Sequence, residues 1–225
     1  MKGKIIVIEG IDGSGKNTQS NLILERLSKA GVKSEKISFP AYDETFFGKE
    51  VGNYLNGKFG GLDDVNPKLA AMLYAGDRFE KKDYINEKLS EGYILIIDRY
   101  VPSNIAHQAS KLDNIERDVL ADWINQLEYY VYKMPKPDLV IFLDVPPKTS
   151  QELVLTKDKR NYTEKKQDLH EENSNYLEKV YRYFRELSSI NGWTHINCFP
   201  NNRMLGKEEI NEILFNKIEK IIEDQ

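Results

Sequence analysis

The sequence predicts an α/β fold in which a mainly parallel β-sheet carries helices on both faces. Two observations support this prediction. Short apolar runs alternate with longer stretches whose apolar residues recur at helical spacing, and such alternation implies strand–helix–strand crossovers. Two of the runs, residues 93–97 and 139–143, are almost continuously apolar, which is typical of strands buried on both faces.

The elements follow from these patterns in chain order. Strands are predicted over residues 4–8, 36–39, 93–97, 139–143 and 193–199. Helices are predicted over residues 16–30, 67–89, 115–132, 169–187 and 207–222, with a further short helix that Pro102 opens. The first helix is expected to stop at Gly31, a common C-terminal residue, and the second to begin at Asn66-Pro67, an N-cap followed by a first-turn proline.

The composition fits one domain spanning residues 1–225. The 225 residues carry 32 Lys and Arg against 36 Asp and Glu, a net charge of −4, and such a chain with no dense basic block is not expected to bind nucleic acid. The apolar runs are too short to span a membrane, and no secretory signal is recognisable. The single cysteine, Cys198, excludes an internal disulfide and a multi-cysteine zinc site. We therefore expect a cytoplasmic protein with no membrane partner.

The strongest motif lies where the first strand meets the first helix. Apolar residues 5–8 lead into a glycine-rich loop and an amphipathic helix follows, which is the context that a phosphate-binding loop requires. Glycines let backbone N–H groups point at an anion, and the helix N-terminus adds partial positive charge. The residues predicted to bind ATP are Gly10, Ile11, Asp12, Gly13, Ser14, Gly15, Lys16, Asn17 and Thr18.

Asn17 departs from the usual pattern of such loops. Ser or Thr ordinarily follows the lysine and supplies a hydroxyl group to Mg²⁺, whereas here Asn17 follows Lys16, and Thr18 comes later. An amide oxygen can also ligate Mg²⁺, directly or through water. The loop therefore still predicts Mg²⁺ as the cofactor, with ATP as co-substrate.

The end of the third strand narrows the class of protein. A phosphate loop alone leaves GTPases, motor ATPases, small-molecule kinases and nucleotide sensors open. Residues 156–158 have the wrong spacing for the GTPase base motif, and the third strand ends in Asp98-Arg99-Tyr100 rather than in the acidic pair of most ATPases. An acid followed at once by an arginine suits a site that organises a metal and also grips a second anion.

These residues together resemble the thymidylate kinase family of nucleoside-monophosphate kinases over almost the whole chain. The matching motifs are GIDGSGK at 10–16, Phe39-Pro40, LYAGDR at 73–78, DRY at 98–100 with Ser103-Asn104, and RNYTE at 160–164. The resemblance implies a three-layer P-loop NTPase-type fold, with a five-stranded parallel sheet and a mobile lid. It also implies phosphoryl transfer from ATP to dTMP, which gives dTDP and ADP on the route to dTTP, and a homodimer.

Four residues are predicted to be catalytic. Phosphoryl transfer needs two polyanions held in line and the moving charge neutralised. Lys16 would hold the donor phosphates, and Arg99 would clamp the acceptor monophosphate because a guanidinium fork matches phosphate geometry. Asp12 is an unusual acid in a phosphate loop, and the resemblance implies that it meets the acceptor 3′-hydroxyl or helps to hold Mg²⁺. Arg160 completes the set.

A thymine-binding pocket is predicted from an aromatic residue and an arginine on one helix face. Tyr74 and Arg78 are four residues apart, so a ring for stacking lies beside a guanidinium that can donate to a base carbonyl. Phe39 would wall the pocket, and the resemblance places His107 near the 2′ edge of the sugar. The residues predicted to bind dTMP are Asp12, Phe39, Tyr74, Arg78, Arg99, Ser103, Asn104, His107, Gln108 and Tyr162.

The polar segment at about residues 156–167 is predicted to be the lid. Some family members carry a basic residue at the position of Ser14, so the resemblance assigns that charge to the lid, with Arg160 as the leading candidate and Lys157 and Lys159 as alternatives. A closing lid excludes water from the reaction. The predicted metal ligands are Asn17, Asp98 and Glu164.

Two other functions remain open from the sequence. One is another kinase of the same fold, acting on a deoxynucleoside or on a different monophosphate; the pairing of Arg99 with an acceptor phosphate favours a monophosphate. The other is a nucleotide-binding regulator without turnover, which Asn17 favours and which the basic lid and Lys16 disfavour.

Overall fold

The computed structural model of the chain describes residues 3–155 and 174–223. Within these residues five parallel strands form one sheet in the order β2-β3-β1-β4-β5. The strands are β1 Lys4–Glu9, β2 Ser34–Ser38, β3 Ile94–Asp98, β4 Leu139–Asp144 and β5 Thr194–Asn197. The predicted fold class is confirmed, and each predicted strand is present with its ends shifted by a few residues.

Helices cover both faces of this sheet. They are α1 Lys16–Lys29, α2 Phe46–Leu55, α3 Pro67–Glu80, α4 Lys82–Ser90, α5 Val101–Ala109, α6 Asn114–Asn125, α7 Pro147–Leu155, α8 Ser174–Ile190 and α9 Lys207–Glu223. No helix in the described part of the chain is long and apolar enough to cross a membrane.

Two of the predicted helices are divided. The prediction of one helix over 67–89 was wrong, because the N–H of Lys81 donates to the carbonyl oxygen of Arg78, three residues back, at 3.1 Å, and this turn separates α3 from α4. The predicted helix 115–132 continues from α6 as a π-helical segment, Gln126–Val131. Helices α2 and α7 were not predicted, and residues 169–173 of the predicted fourth helix lie outside the described residues.

The core has two halves, one on each face of the sheet. Because neighbouring residues of a strand point to opposite faces, Ile5 and Val7 of β1 pack with residues of α3, α5 and α6, while Ile6 and Ile8 pack with residues of α1 and α9. The second half also contains Cys198, a buried cysteine whose thiol pKa is raised to about 12, mainly by burial. Both faces of β1 are therefore covered, as its continuous apolar run predicts.

The strand order brings two chemical motifs side by side. β1 lies between β3 and β4, and its register pairs Ile8 with Asp98. The loop after β1 and the segment after β3 therefore leave the same edge of the sheet as neighbours, and the N–H of Arg99 donates to the carbonyl oxygen of Ile8 at 3.2 Å. Carboxyl ends of parallel strands are where folds of this type bind ligands.

Candidate active site

The loop after β1 curls around the side chain of Lys16. The ammonium group of Lys16 donates to the carbonyl oxygens of Gly10 and Ile11, each at 2.9 Å. Burial lowers the pKa of Lys16 to about 8, and repulsion from the guanidinium of Arg99 adds to this. The ammonium therefore lies folded over the loop backbone, where phosphate oxygens could replace the two carbonyl groups as its acceptors.

Helix α7 presses against the loop at a position that only glycine can occupy. Gly13 has φ +83°, and a Cβ atom there would lie 2.3 Å from the carbonyl oxygen of Ser150. The hydroxyl of Ser150 in turn donates to the carbonyl oxygen of Asp12. The contact with α7 therefore holds the loop in place, and it explains why the motif has glycine at position 13.

The loop residues do not all face the same space. The side chain of Ile11 is buried in the core beside Phe142. The hydroxyl oxygen of Ser14 is buried and has no hydrogen-bond partner among the described residues. Thr18 is exposed on α1 and lines neither of the two cavities described below.

Arg99 is held at the centre of the site. It follows β3 in a left-handed conformation with φ 68°, and its Nη2 donates to Asp12 Oδ1 at 2.6 Å. Its Nη1 lies 3.2 Å from both the hydroxyl of Ser103 and Nε2 of His107. Burial alone would lower the pKa of Arg99, but the carboxylates of Asp12, Asp98 and Glu9 raise it above its ordinary value. The guanidinium therefore stays charged and faces a carboxylate in place of a phosphate.

Glu9 anchors the segment that carries Arg99, a role that the sequence reasoning missed. Its side chain is fully buried and accepts hydrogen bonds from the N–H of Tyr100 at 2.9 Å, the N–H of Ser103 at 3.2 Å and the hydroxyl of Ser103 at 2.5 Å. These N–H groups belong to the start of α5, which has a partial positive charge. Burial raises the pKa of Glu9, and these hydrogen bonds oppose that rise.

Two adjoining cavities share Asp12, Phe39, Pro40, Tyr42 and Arg99. We call the first the loop cavity; its lining consists of Asp12, Gly13, Gly15, Lys16, Asn17, Ser38, Phe39, Pro40, Tyr42, Asp98 and Arg99. We call the second the inner pocket; its lining consists of Asp12, Phe39, Pro40, Tyr42, Leu55, Tyr74, Arg78, Arg99, Ser103, Asn104, His107 and Gln108.

The inner pocket brings together nine of the ten residues predicted to bind dTMP. The remaining one, Tyr162, lies outside the described residues, as do Arg160, Glu164, Lys157 and Lys159. The loop cavity contains Lys16 together with the predicted metal ligands Asn17 and Asp98. The two groups of predicted residues therefore meet at Asp12 and Arg99.

Arg78 is not a free guanidinium on the pocket wall. Its Nε and Nη2 each donate to the carboxylate of Glu128 at 2.5 Å, and both side chains are buried. Burial lowers the pKa of Arg78, but the charge of Glu128 outweighs this and leaves the pKa raised. Glu128 belongs to the π-helical segment and was not predicted. The ion pair uses two of the five N–H groups of Arg78, so N–H groups on Nη1 and Nη2 are not taken up by Glu128.

His107 is a neutral imidazole in a defined tautomer. Arg99 can only donate, so Nε2 of His107 accepts from it, and Nδ1 carries the proton. Nδ1 then donates to the hydroxyl of Tyr176 at 3.0 Å, and that hydroxyl donates to the carbonyl oxygen of His107. Burial, reinforced by repulsion from Arg99, lowers the pKa of His107 to about 3. Tyr176 is a buried residue of α8 and was not among the predicted site residues.

Two amide atoms of the inner pocket are buried without partners. Oδ1 of Asn104 and Nε2 of Gln108 make no hydrogen bond to any described residue. An unpaired buried polar atom costs about 1–3 kcal/mol, so such atoms at a pocket wall favour a polar ligand. One is an acceptor and the other a donor.

The loop cavity supplies oxygen ligands of the kind that Mg²⁺ takes. Asn17 offers an amide oxygen and Asp98 a carboxylate, and both face the cavity that also contains Lys16. The ammonium of Lys36 donates to the amide oxygens of Asn17 and Asn21, so it must release Asn17 before that oxygen can bind a metal. No cluster of three or more His, Cys, Asp or Glu side chains that could hold a metal occurs within 3–155 and 174–223. The donor set fits an ion that retains water and binds substrate phosphates.

Comparison with known proteins identifies the family. The Thymidylate kinase family model matches residues 8–209. The chain is 37% identical to thymidylate kinase of Homo sapiens over 144 residues, which is 64% of this chain and 62% of the human protein, a little under two thirds of its length. It is 30% identical to thymidylate kinase of Brachyspira hyodysenteriae over 226 residues, with 97% of each chain covered.

A solved structure is also similar. Thymidylate kinase from Candida albicans superposes with a TM-score of 0.74 at 26% identity, covering 97% of this chain and 92% of that one. The sequence and structure comparisons agree with the fold and with the family predicted from the motifs. This chain belongs to the thymidylate kinase family.

Proposed function

We propose that this chain is a dTMP kinase that transfers the γ-phosphoryl group of ATP to dTMP, with dTDP and ADP as products. The observation that carries the proposal is the meeting of the loop cavity and the inner pocket at Asp12 and Arg99. A donor in the first cavity and an acceptor in the second would present their phosphates to each other across this point. Such alignment accounts for most of what a phosphoryl-transfer enzyme must supply.

In this proposal Lys16 and the loop N–H groups bind the donor phosphates. Arg99 exchanges Asp12 for the acceptor phosphate, and Asp12, once released, contacts the 3′-hydroxyl of the acceptor or the metal. This exchange is reasonable because Asp12 contacts Arg99 at 2.6 Å, so its carboxylate lies against the guanidinium where the acceptor phosphate would bind. The resident ion would be Mg²⁺, held by Asn17 and Asp98, and would neutralise phosphate charge.

Thymine would occupy the inner pocket. Tyr74 and Phe39 offer aromatic surface, and Tyr74 is itself held edge-on by Tyr54 with ring centroids 6.4 Å apart. Arg78 would donate from Nη1 to a base carbonyl. His107 and Tyr176 would close the side of the pocket next to Arg99, where a 2′-hydroxyl would meet the imidazole.

The lid at about 156–167 would complete the site. Arg160, or else Lys157 or Lys159, would contact the transferring phosphoryl group, while Tyr162 would contact the sugar and Glu164 the metal shell. These roles rest on the family motif alone. We also propose that residues 1–225 form one domain, which acts in the cytoplasm, where ATP and dTMP are available.

A homodimer is part of the proposal. Leu69, Met72 and Phe79 recur at helical spacing on α3, and they are 61%, 42% and 47% exposed. Exposed apolar side chains on one helix face are typical of a protein–protein interface. Sedimentation of the chain and of a Leu69→Asp variant tests this, since a dimer through α3 should become a monomer.

One assay tests the activity. ADP formation is measured with ATP and Mg²⁺ against a panel of dTMP, dUMP, dGMP and thymidine, with a Lys16→Ala variant as the inactive control. We expect dTMP to be the preferred acceptor and ADP formation to depend on it. Preference for thymidine or dGMP would favour another kinase of this fold, and ATP binding without any turnover would favour a regulator.

A further inference from the structure

The side-chain amide of Asn104 is locked in one orientation by two acceptors. Its Nδ2 donates to the carbonyl oxygen of Ala71 at 3.1 Å and to Glu128 Oε1 at 2.8 Å. Both hydrogens of the amide nitrogen are thereby used. Rotation by 180° would place the amide oxygen against a carboxylate and a carbonyl, so Oδ1 must be the atom that is left over. Asn104 is 2% exposed, and this oxygen has no partner in the described structure.

The side-chain amide of Gln108 is also held in one orientation, but here the oxygen has the partner and the nitrogen is left over. Its Oε1 accepts from the amine of Lys111 at 2.8 Å, and that amine also donates to the hydroxyl of Tyr54 at 2.6 Å. Nε2 of Gln108 is therefore the end without a partner in the described structure. Burial lowers the pKa of Lys111 to about 7, but an amine carries N–H groups in either protonation state, so it can donate to Oε1 in both.

The two orphaned atoms match one edge of a pyrimidine. Thymine presents an N3–H donor flanked by carbonyl acceptors, so Asn104 Oδ1 can accept from N3 while Gln108 Nε2 donates to the carbonyl at C4. Cytosine has an unprotonated N3 and an amino group at C4, so its N3 would face Asn104 Oδ1 as acceptor against acceptor, and its amino group would face Gln108 Nε2 as donor against donor. A site that leaves buried polar groups unpaired rejects the wrong base strongly.

We propose that Glu128 and Lys111 are positioning residues that set the hydrogen-bonding polarity of the inner pocket, and so make it selective for thymine or uracil over cytosine. Glu128 acts by holding the nitrogen of Asn104, and Lys111 by holding the oxygen of Gln108. Neither residue lines the inner pocket. This inference rests on the proposed function, because it assumes that a nucleotide base occupies the pocket.

The experiment compares Lys111→Met with Lys111→Arg, which keeps an N–H donor. Dissociation constants for dTMP, dCMP and ATP are measured by calorimetry, with thermal melting to verify folding. In Lys111→Met the amide of Gln108 is free to rotate, so we expect dTMP binding to weaken about tenfold, the loss of one well-placed hydrogen bond. Binding of dCMP should not weaken, and ATP binding should stay unchanged. Lys111→Arg should restore much of the preference for dTMP.

A second variant addresses the other amide. Glu128→Gln keeps the size of the side chain and can turn its own amide N–H₂ toward Asn104, which would favour the reversed orientation. Loss of the buried charge opposite Arg78 destabilises the fold, so dTMP/dCMP selectivity is read only below the melting transition. We expect selectivity to fall in this variant as well.

The outcomes separate the inference from the proposed function. If the unaltered protein fails to bind dTMP, the proposed function is wrong and the inference falls with it. If the unaltered protein prefers dTMP to dCMP and folded Lys111→Met keeps the same ratio, the inference alone is wrong. Equal weakening of dTMP and dCMP would also overturn it, because it would show a structural effect without a change in polarity.

Discussion

Replacement of Arg99 by alanine is expected to impair use of dTMP while leaving ATP affinity nearly unchanged. The guanidinium borders both cavities, but its hydrogen bonds are to Asp12, Ser103 and His107, all of which line the inner pocket. Lys16 lines the loop cavity, and its ammonium group is held by carbonyl groups of its own loop and not by Arg99. The variant should therefore lose affinity for the acceptor dTMP and keep its affinity for ATP.

The magnitude follows from the hydrogen bonds at stake. A hydrogen bond to a charged group contributes about 1.5–3 kcal/mol, and a bidentate contact with phosphate makes two. In the free protein Nη2 of Arg99 is already paired with Asp12 at 2.6 Å, and this contact must be given up. Two such bonds together contribute about 3–6 kcal/mol, and because of the lost contact with Asp12 the lower end, about 3 kcal/mol, is appropriate; it corresponds to a loss of about 150-fold in kcat/KM for dTMP.

The assay is ADP formation over a range of dTMP concentrations, with ATP affinity measured separately by calorimetry. Arg99→Lys is the matched variant, because it keeps the positive charge but loses the two-pronged guanidinium group. Its kcat/KM for dTMP should lie between those of the unaltered protein and Arg99→Ala. Because Asp12 and Arg99 are in contact, Asp12→Asn and Arg99→Ala should be non-additive in the double variant. Equal losses of ATP and dTMP affinity in Arg99→Ala would refute the assignment of Arg99 to the acceptor.

Three further predictions address other parts of the site. Lys16→Ala should weaken ATP binding by at least about tenfold and leave dTMP binding within a few-fold, and calorimetry with each ligand alone verifies this. Arg160→Ala should lower kcat by on the order of 100-fold or more with dTMP affinity retained, as loss of a transition-state contact does; an unchanged kcat would assign the role to Lys157 or Lys159. The pKa of His107 is about 3 in the folded protein, against an ordinary value of 6.5. As the pH falls below 6.5, the unfolded chain therefore binds a proton at this imidazole while the folded protein does not. The free energy of unfolding is highest above pH 6.5 in this respect and falls as the pH goes from 6.5 toward 3. The loss amounts to about 1.4 kcal/mol per pH unit inside that window. When the free energy of unfolding is measured with urea at several pH values, its change per pH unit should be smaller by this amount in His107→Asn than in the unaltered protein. An equal pH dependence in the two proteins would contradict the buried neutral imidazole.

The sequence predicted the frame of the site because that frame depends on local patterns. The loop from Gly10 to Thr18 needs glycines and a following helix, and DRY at 98–100 needs only the end of an apolar strand. Once β1 and β3 are neighbours, these two motifs must meet at one edge of the sheet. The inner pocket could be predicted for the same reason, since Tyr74 and Arg78 share a helix face, as do Asn104 and Gln108.

The partners of these residues could not be predicted from local pattern. Glu128 is brought to Arg78 by a π-helical turn, in which the N–H of Tyr132 bonds to the carbonyl of Leu127 at 2.8 Å, so the helical phase beyond Asn125 shifts. A regular helix over 115–132 gives no sign of this. Glu9 did leave a signal, an acid at the end of a strand buried on both faces, and such an acid requires a partner.

Helix breaks and short helices were missed for a related reason. Apolar spacing continues from α3 into α4, so nothing in the pattern marks Lys81 as the division. Helix α2 begins at a Thr45 N-cap whose hydroxyl accepts from the N–H of Gly48 at 2.8 Å and also donates to Asp77. That second contact spans distant parts of the chain, and only the assembled fold makes it visible.

The isolation of Cys198 has a practical consequence for spectroscopy. Burial raises the pKa of this thiol to about 12 and removes it from solvent, so at neutral pH it is protonated and shielded from reagents. A cysteine engineered on the surface, for instance on α2 or α8, would thus be the one site that a maleimide dye labels rapidly. With one such cysteine on each helix, fluorescence energy transfer between the two dyes would report the distance between α2 and α8, and Cys198 need not be removed first.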